Sequence, residues 1–194
     1  MKIAIFADMH GDMNGLKLAL DDIKKEQCSM TYCLGDMVDK KTETTEVIDY
    51  MRTLDIPIAL GNHEFDLQDI CDDDTIDFLN SLQENFTHDD AHLTHISPLD
   101  ENKIRNADDA LKVFQGTDHK HTFVAHNHFP YVFGYGDDGI VIDYDHPFEQ
   151  ELSLKDDERY IICVGALGDR RKPPVPKQYT IYDSVNHTVR FKLL

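Results

Sequence analysis

Short apolar runs alternate with helical spacings along the first part of the chain. Ile3 to Ala7, Met30 to Leu34 and Ile56 to Leu60 have the length of buried strands. Between the first two, Leu16, Ala19, Leu20 and Ile23 fall at i, i+3, i+4 and i+7, one apolar stripe on a helix opening near Asn14, with Asp12 or Asn14 as its cap. Val47, Met51 and Leu54 mark a second helix, its start signalled by Thr42, Thr44 and Thr45. The pattern predicts a parallel βαβαβ core with right-handed crossovers covering both faces of the sheet.

Further along, Asp72, Asp73 and Asp74 precede Ile76, Leu79 and Leu82, a helix whose acidic first turn complements its dipole. Asn106, Ala107, Ala110, Leu111 and Phe114 repeat the helical spacing. Then the texture changes. Tyr131 to Tyr135 and Ile140 to Tyr144 flank Gly136-Asp137-Asp138-Gly139, and Tyr179 to Tyr182 and Val189 to Leu193 flank Asp183 to His187. Both read as hairpins, so the carboxyl-terminal half is expected to be mostly antiparallel.

The apolar runs stop on residues of metal-ligand type. The first reaches Asp8-Met9-His10, the second Gly35-Asp36 and the third Gly61-Asn62-His63-Glu64; Leu93-Thr94 reaches His95, and Phe123-Val124-Ala125 reaches His126-Asn127-His128. In open α/β sheets ligands bind beyond the carboxyl ends of strands, so these ends should meet in one crevice. Residues i and i+2 at a strand end share a side, which lets Asp8 with His10, and His126 with His128, grip one region.

The donors gathered there are Asp8, His10, Asp36, Asn62, His95, His126 and His128. Mixed oxygen and imidazole donors suit first-row divalent metals and are too rich in nitrogen for calcium or magnesium alone. Seven donors exceed one tetrahedral ion and fit two ions about 3.5 to 4 Å apart sharing a carboxylate, a clamp for displacement at phosphorus. His92 and His95 lie three apart, so only one can face the cluster, and His95 ends its run. His88, His92, His119, His121, His146 and His187 read as surface or hydrogen-bonded residues, and Glu64 and Asp66 as supporting or solvated groups.

Composition restricts partners. The 194 residues, 41% hydrophobic, can bury one core, expected as a single domain over 1–194. A formal charge of -18 argues against nucleic acid and anionic membranes as partners. Cysteines 28, 33, 71 and 163 form no CxxC pair and read as reduced thiols. No run approaches the ~18 residues of a membrane span, and the amino terminus lacks a signal-peptide pattern, so a cytoplasmic location is expected.

Asp8-x-His10, Gly35-Asp36-x-x-Asp39, Gly61-Asn62-His63-Glu64, His95 and His126-x-His128, in that order, resemble the calcineurin-like metallophosphoesterase family. Gly165-Ala166-Leu167-Gly168 with Arg170 resembles the late glycine loop of its small bacterial members. The resemblance implies an α/β fold, a four-layer α/β/β/α sandwich of two sheets face to face with helices outside. It further implies one metal held by Asp8, His10, His128 and a bridging Asp36, and a second by Asp36, Asn62, His95 and His126. The cofactors would be two divalent ions, manganese foremost, with Fe, Zn, Co or Ni as alternatives, and a hydroxide bridging them would be the nucleophile.

His63 follows the ligand Asn62 directly, a place from which an imidazolium can protonate a leaving alkoxide. Resemblance to the protein phosphatases of the family suggests that Asp39 orients it. Where those enzymes continue with Arg-Gly this chain has Lys40 and Lys41, a point charge in place of a planar clamp, and Lys40 with Arg170 would contact substrate. The expected activity is hydrolysis of a small phosphomonoester or phosphodiester. Protein-phosphatase, dinucleoside-polyphosphate hydrolase and non-catalytic scaffold roles are the alternatives. Since ligand imidazoles must be neutral, metal affinity and activity should fall as pH drops through about 6.

Overall fold

A computed structural model describes residues 1–39, 45–67, 71–100, 102–168 and 176–194. In chain order the elements are β1 (Lys2–Phe6), α1 (Met13–Lys25), β2 (Met30–Cys33), α2 (Glu46–Arg52), α3 (Asn62–Phe65), α4 (Asp73–Asn80), β3 (Asn85–His88) and β4 (Ala91–Thr94). There follow α5 (Ala107–Gly116), β5 (His121–Val124), β6 (Tyr131–Tyr135), β7 (Val141–Asp143), β8 (Glu151–Ser153), β9 (Arg159–Cys163), β10 (Gln178–Asp183) and β11 (Thr188–Leu193). One sheet runs β2-β1-β10-β11-β8 and the other β3-β4-β5-β9-β6-β7.

Strand alternation builds the layers. In β1, Ile3 and Ile5 point into a core shared with Phe123, Tyr160, Ile162 and Phe191, while Ala4 and Phe6 point the other way, onto Leu16, Ala19 and Met51 of the helices. β9 does the same, with Tyr160 and Ile162 between the sheets and Ile161 and Cys163 against Ala110, Val113 and Phe114 of α5. A strand buried on both faces needs apolar residues at every position, which explains why these runs show no polar alternation. The result is a four-layer α/β/β/α sandwich.

Local capping matches the sequence signals. Asp12, Asp72 and Asn106 each accept a hydrogen bond from the backbone N–H three residues on, at 2.8, 2.9 and 3.0 Å, and so start α1, α4 and α5. The stop of α5 is held from outside. The Arg159 guanidinium donates to the carbonyls of Phe114 and Thr117, placing a cation at the negative end of that helix. Thr45 precedes α2 without a side-chain cap bond, and Thr42 and Thr44 lie outside the described residues.

One expectation needs correction. Ile56 to Leu60 does not form a strand: Ile58 makes one parallel bridge to Cys33, and Ala59 makes one to Gln83, just before β3. Pro57 lacks the N–H a ladder needs, and pairing divided between two neighbours leaves no continuous run. The carboxyl-terminal half is mostly antiparallel, as expected: β6 pairs antiparallel with β7 and β9, and β11 with β10 and β8, while β5 pairs parallel with β9 and with the earlier β4. The cysteines are free, with Cys33 and Cys163 buried and Cys28 and Cys71 half-buried. No helix among the described residues is long and apolar enough to cross a membrane.

Candidate metal centre

The loops after β1, β2, β4 and β5 meet at one end of the sandwich, and strand alternation is not what aims them. Asp8, His10, Asp36, His126 and His128 have φ of 53°, 47°, 54°, 65° and 65°, the left-handed region that side chains other than glycine seldom adopt. Each pair is therefore delivered by left-handed turns rather than by the i, i+2 geometry of an extended end. A lattice of backbone bonds holds this conformation. Asp8 N–H donates to the Gly35 carbonyl at 3.0 Å, Met9 and His10 N–H to that of Asp36 at 2.9 and 3.1 Å, and Gly168 N–H to that of Asp8 at 2.9 Å. Strained backbone persists where surroundings over-determine it, and such places cluster at functional sites.

Two groups of donors result. Asp8 Oδ1 lies 3.7 Å from His10 Nε2 and 3.3 Å from His128 Nε2, and the two ring nitrogens face each other at 3.1 Å. In the second group, Asp36 Oδ2 lies 3.3 Å from His95 Nε2, which is 3.1 Å from Asn62 Oδ1, with a ligand atom of His126 in the same cluster. Bonds of about 2.0 to 2.1 Å around a tetrahedral ion put ligand atoms roughly 3.3 to 3.4 Å apart. Asp8 Oδ1 and Asp36 Oδ2 are buried without a hydrogen-bond partner among the described residues. Orphaned carboxylate oxygens facing imidazole nitrogens are the arrangement a cation completes, so the residues present fit divalent metal. Asp36 also belongs to a third group with His10 and His63, which places it between the others.

Neighbouring groups fix the ligands. His95 Nδ1 donates to the Leu34 carbonyl at 2.6 Å, turning Nε2 towards Asp36. Asp8 Oδ2 accepts from His126 N–H at 3.0 Å and Asp36 Oδ1 from His63 N–H at 2.9 Å, so each carboxylate keeps one oxygen for the cluster. Glu64, read from sequence as supporting or solvated, is buried and accepts from three backbone N–H groups: Gly61 and Met37 at 2.7 Å and Asp36 at 2.9 Å. It ties the Gly35-Asp36 loop to the Gly61-Asn62 loop. A side chain at Gly61 would run into Asp36 and Glu64, which is why glycine stands there.

The electrostatics separate the imidazoles. Burial alone would lower His95, but Asp36, with Asp8 and Glu64 behind it, outweighs burial and pushes it up to about 9. Burial opposes ionisation of Asp36 too, yet the facing charge of His95 and the hydrogen bond from the His63 amide hold it well below the usual carboxylate range. Burial pushes His126 down to about 4 and also lowers His10. His95 is therefore protonated in the metal-free protein at neutral pH, and a metal must displace that proton.

This moves the window expected from the sequence. Metal affinity should rise roughly tenfold per pH unit towards about 9 rather than level off above 6, with about one proton released per chain on loading at pH 7. The stability of the metal-free chain has the opposite dependence. The folded pKa of His95 exceeds its unfolded value of about 6.5, so this contribution is full below 6.5 and lost as pH rises through about 9. Metal titrations at pH 7 and 8 check the point, and equal affinities at both would contradict it.

The two residues assigned to acid catalysis separate. His63 stands at the cluster edge, Nε2 3.9 Å from Asp36 Oδ2, with a third of its side chain exposed. Its Nδ1 is buried without a hydrogen-bond partner among the described residues, while Asp39 Oδ2 lies 3.7 Å from Nδ1 of His10. Asp39 thus stands behind a metal-type imidazole rather than holding His63 by that nitrogen. Lys40 and Arg170 lie outside the described residues. His92, the rival of His95, stacks on His119 with ring centroids 4.0 Å apart, in the wall of a cleft of about 770 Å³. The cleft reaches Asn62, His95 and His126, and the exposed Phe65 forms part of its rim.

A two-sheet sandwich with Asp and His donors at its strand ends defines the α/β/β/α class, here with donor clusters that could hold metal ions. The chain belongs to the calcineurin-like phosphoesterase family, whose pattern matches residues 1–179. It is 24% identical over 207 aligned residues to the uncharacterised protein MJ0912 of Methanocaldococcus jannaschii, covering 93% of this chain and 82% of the relative. Among solved structures, a metallophosphoesterase from Sphaerobacter thermophilus superposes with a TM-score of 0.84 at 24% identity, over 100% of this chain and 88% of that one. A novel archaeal phosphodiesterase gives 0.58 at 17% identity, with both chains fully covered.

Proposed function

We propose that this chain is a metal-dependent phosphoesterase that hydrolyses a small phosphomonoester or phosphodiester at a two-metal centre. The observation that carries the reading is the pair of buried oxygens without a hydrogen-bond partner among the described residues, Asp8 Oδ1 and Asp36 Oδ2, each 3.3 Å from an imidazole nitrogen. One ion would be held by Asp8, His10, His128 and Asp36, the other by Asp36, Asn62, His95 and His126. When bound, the ions supply an activated water and charge neutralisation at phosphorus.

The chain's own groups do the rest. The left-handed turns and the Glu64 clasp hold the donors in place before substrate arrives, so little reorganisation is needed during reaction. His63, at the edge and reachable from solvent, would protonate the leaving oxygen from Nε2. A cleft of about 770 Å³ exceeds what a bare phosphate requires and favours an ester with an organic group, packed between Phe65 and the His92–His119 stack.

Manganese-loaded protein should hydrolyse aryl phosphomonoesters or diesters and lose that activity with chelator. Two bound metals without turnover of aryl esters, nucleotide esters, diadenosine tetraphosphate or phosphopeptides would overturn the reading and favour a scaffold. His63→Ala should lower kcat on esters with strongly basic leaving groups by about 10² or more, and much less on nitrophenyl esters, whose leaving group needs no proton. An equal loss on both would remove His63 from the acid role.

A further inference from the structure

A second group of metal-type donors lies at the opposite end of the same strands. β4 and β5 deliver His95 and His126 from their carboxyl ends; at their amino ends stand Asp90, in the turn before β4, and His121, the first residue of β5. The turn between β10 and β11, in the other sheet, brings His187 to them. One donor atom from each of the three lies within 4.8 Å of the others.

The ring of His121 makes this more than a chance grouping. It is 1% exposed, between the rings of Tyr160 and Tyr182, and neither of its nitrogens has a hydrogen-bond partner among the described residues. A neutral imidazole always carries one N–H and one lone pair, so both tautomers leave this ring unsatisfied. Its Nε2 lies 3.4 Å from Asp90 Oδ2, already the edge length of about 3.3 to 3.4 Å expected around a tetrahedral ion. Asp90 is oriented for this by Tyr182, whose hydroxyl donates to Oδ1 at 3.1 Å and leaves Oδ2 facing the ring. His187 sits on a turn, where rotation of its ring can close the remaining gap.

We infer that Asp90, His121 and His187 form a structural site for a zinc-type divalent cation, separate from the phosphoesterase centre and clasping the two sheets together at their far end. Two imidazoles and one carboxylate suit zinc, cobalt or nickel, not the all-oxygen shells of calcium or magnesium. A fourth position stays open to water. A cation bound only by the folded chain stabilises the sandwich by mass action, and this one joins β5 of the second sheet to the β10–β11 turn of the first.

The test counts metal. Chelator-treated protein is reloaded with zinc, freed of excess and analysed for zinc per chain, alongside Asp90→Asn and His187→Gln. Each variant should hold one equivalent fewer than the unaltered chain and gain less in Tm on zinc addition, while manganese-supported aryl phosphate hydrolysis stays within about twofold of the parent. Equal zinc content in the parent and both variants would overturn the site. Should a variant fail to fold, the imidazole nitrogen resonances of the unaltered chain give the answer: those of His121 must shift as zinc is added, and unmoved signals would overturn it. Absence of hydrolysis in every sample would defeat the phosphoesterase reading and leave this count intact.

Discussion

Asp36→Asn is expected to lower turnover by on the order of 10³, the equivalent of roughly 4 kcal/mol of transition-state stabilisation, and to reduce bound metal below two equivalents. The substitution keeps the shape of the side chain and leaves Oδ1 able to accept from the His63 amide. What it removes is the charge on the oxygen that faces His95 at 3.3 Å and sits between the donor groups. The same change takes away the largest influence raising His95, so the imidazole should fall well below about 9 and the proton released on loading at pH 7 should disappear. Elemental analysis, steady-state rates and proton-release measurements read these three consequences. Unchanged metal content and rate together would mean that Asp36 is no ligand.

Glu64→Ala should cost at least about 3 kcal/mol of folding stability, because it strips the acceptor from three buried N–H groups and an unmade buried hydrogen bond costs roughly 1 to 3 kcal/mol. Burial, with the nearby Asp36 charge, pushes the Glu64 carboxyl up to about 7, while the amides of Asp36 and Met37 pull the other way. Those amides and that of Gly61 are what the carboxylate holds in register. Metal affinity should therefore fall as well, by about 10- to 100-fold, as expected for groups that orient ligands. Glu64→Gln keeps an acceptor oxygen and should lie between the parent and Ala in both respects. Chemical denaturation and metal titration check this; a Glu64→Ala protein as stable as the parent would mean that the clasp contributes little.

Much of this architecture is written in periodicity. The stripe of Leu16, Ala19 and Ile23 and the caps Asp12, Asp72 and Asn106 announce α1, α4 and α5, and the donor residues stand where short apolar runs end. Other features depend on information that residue types do not carry. Tyr160 to Cys163 is a continuous apolar run with no ligand after it, and its role as the parallel neighbour of β5 emerges only from chain crossing. Glu64 resembles any charged residue after a loop until the amides of Asp36, Met37 and Gly61 are seen converging on it. The left-handed φ of Asp8, His10, Asp36, His126 and His128 is strain that no propensity predicts, since tertiary hydrogen bonds impose it. His121 looked like an ordinary polar residue because burial, not identity, leaves its nitrogens unsatisfied.

Anomalous diffraction from manganese-loaded crystals, with data collected at the manganese edge, addresses the pair of ions most directly. Two peaks about 3.5 to 4 Å apart are expected at the ends of β1, β2, β4 and β5, with Asp36 touching both, Asp8, His10 and His128 on one, and Asn62, His95 and His126 on the other. A single peak there, or two peaks of which only one contacts Asp36, would contradict the shared-carboxylate centre.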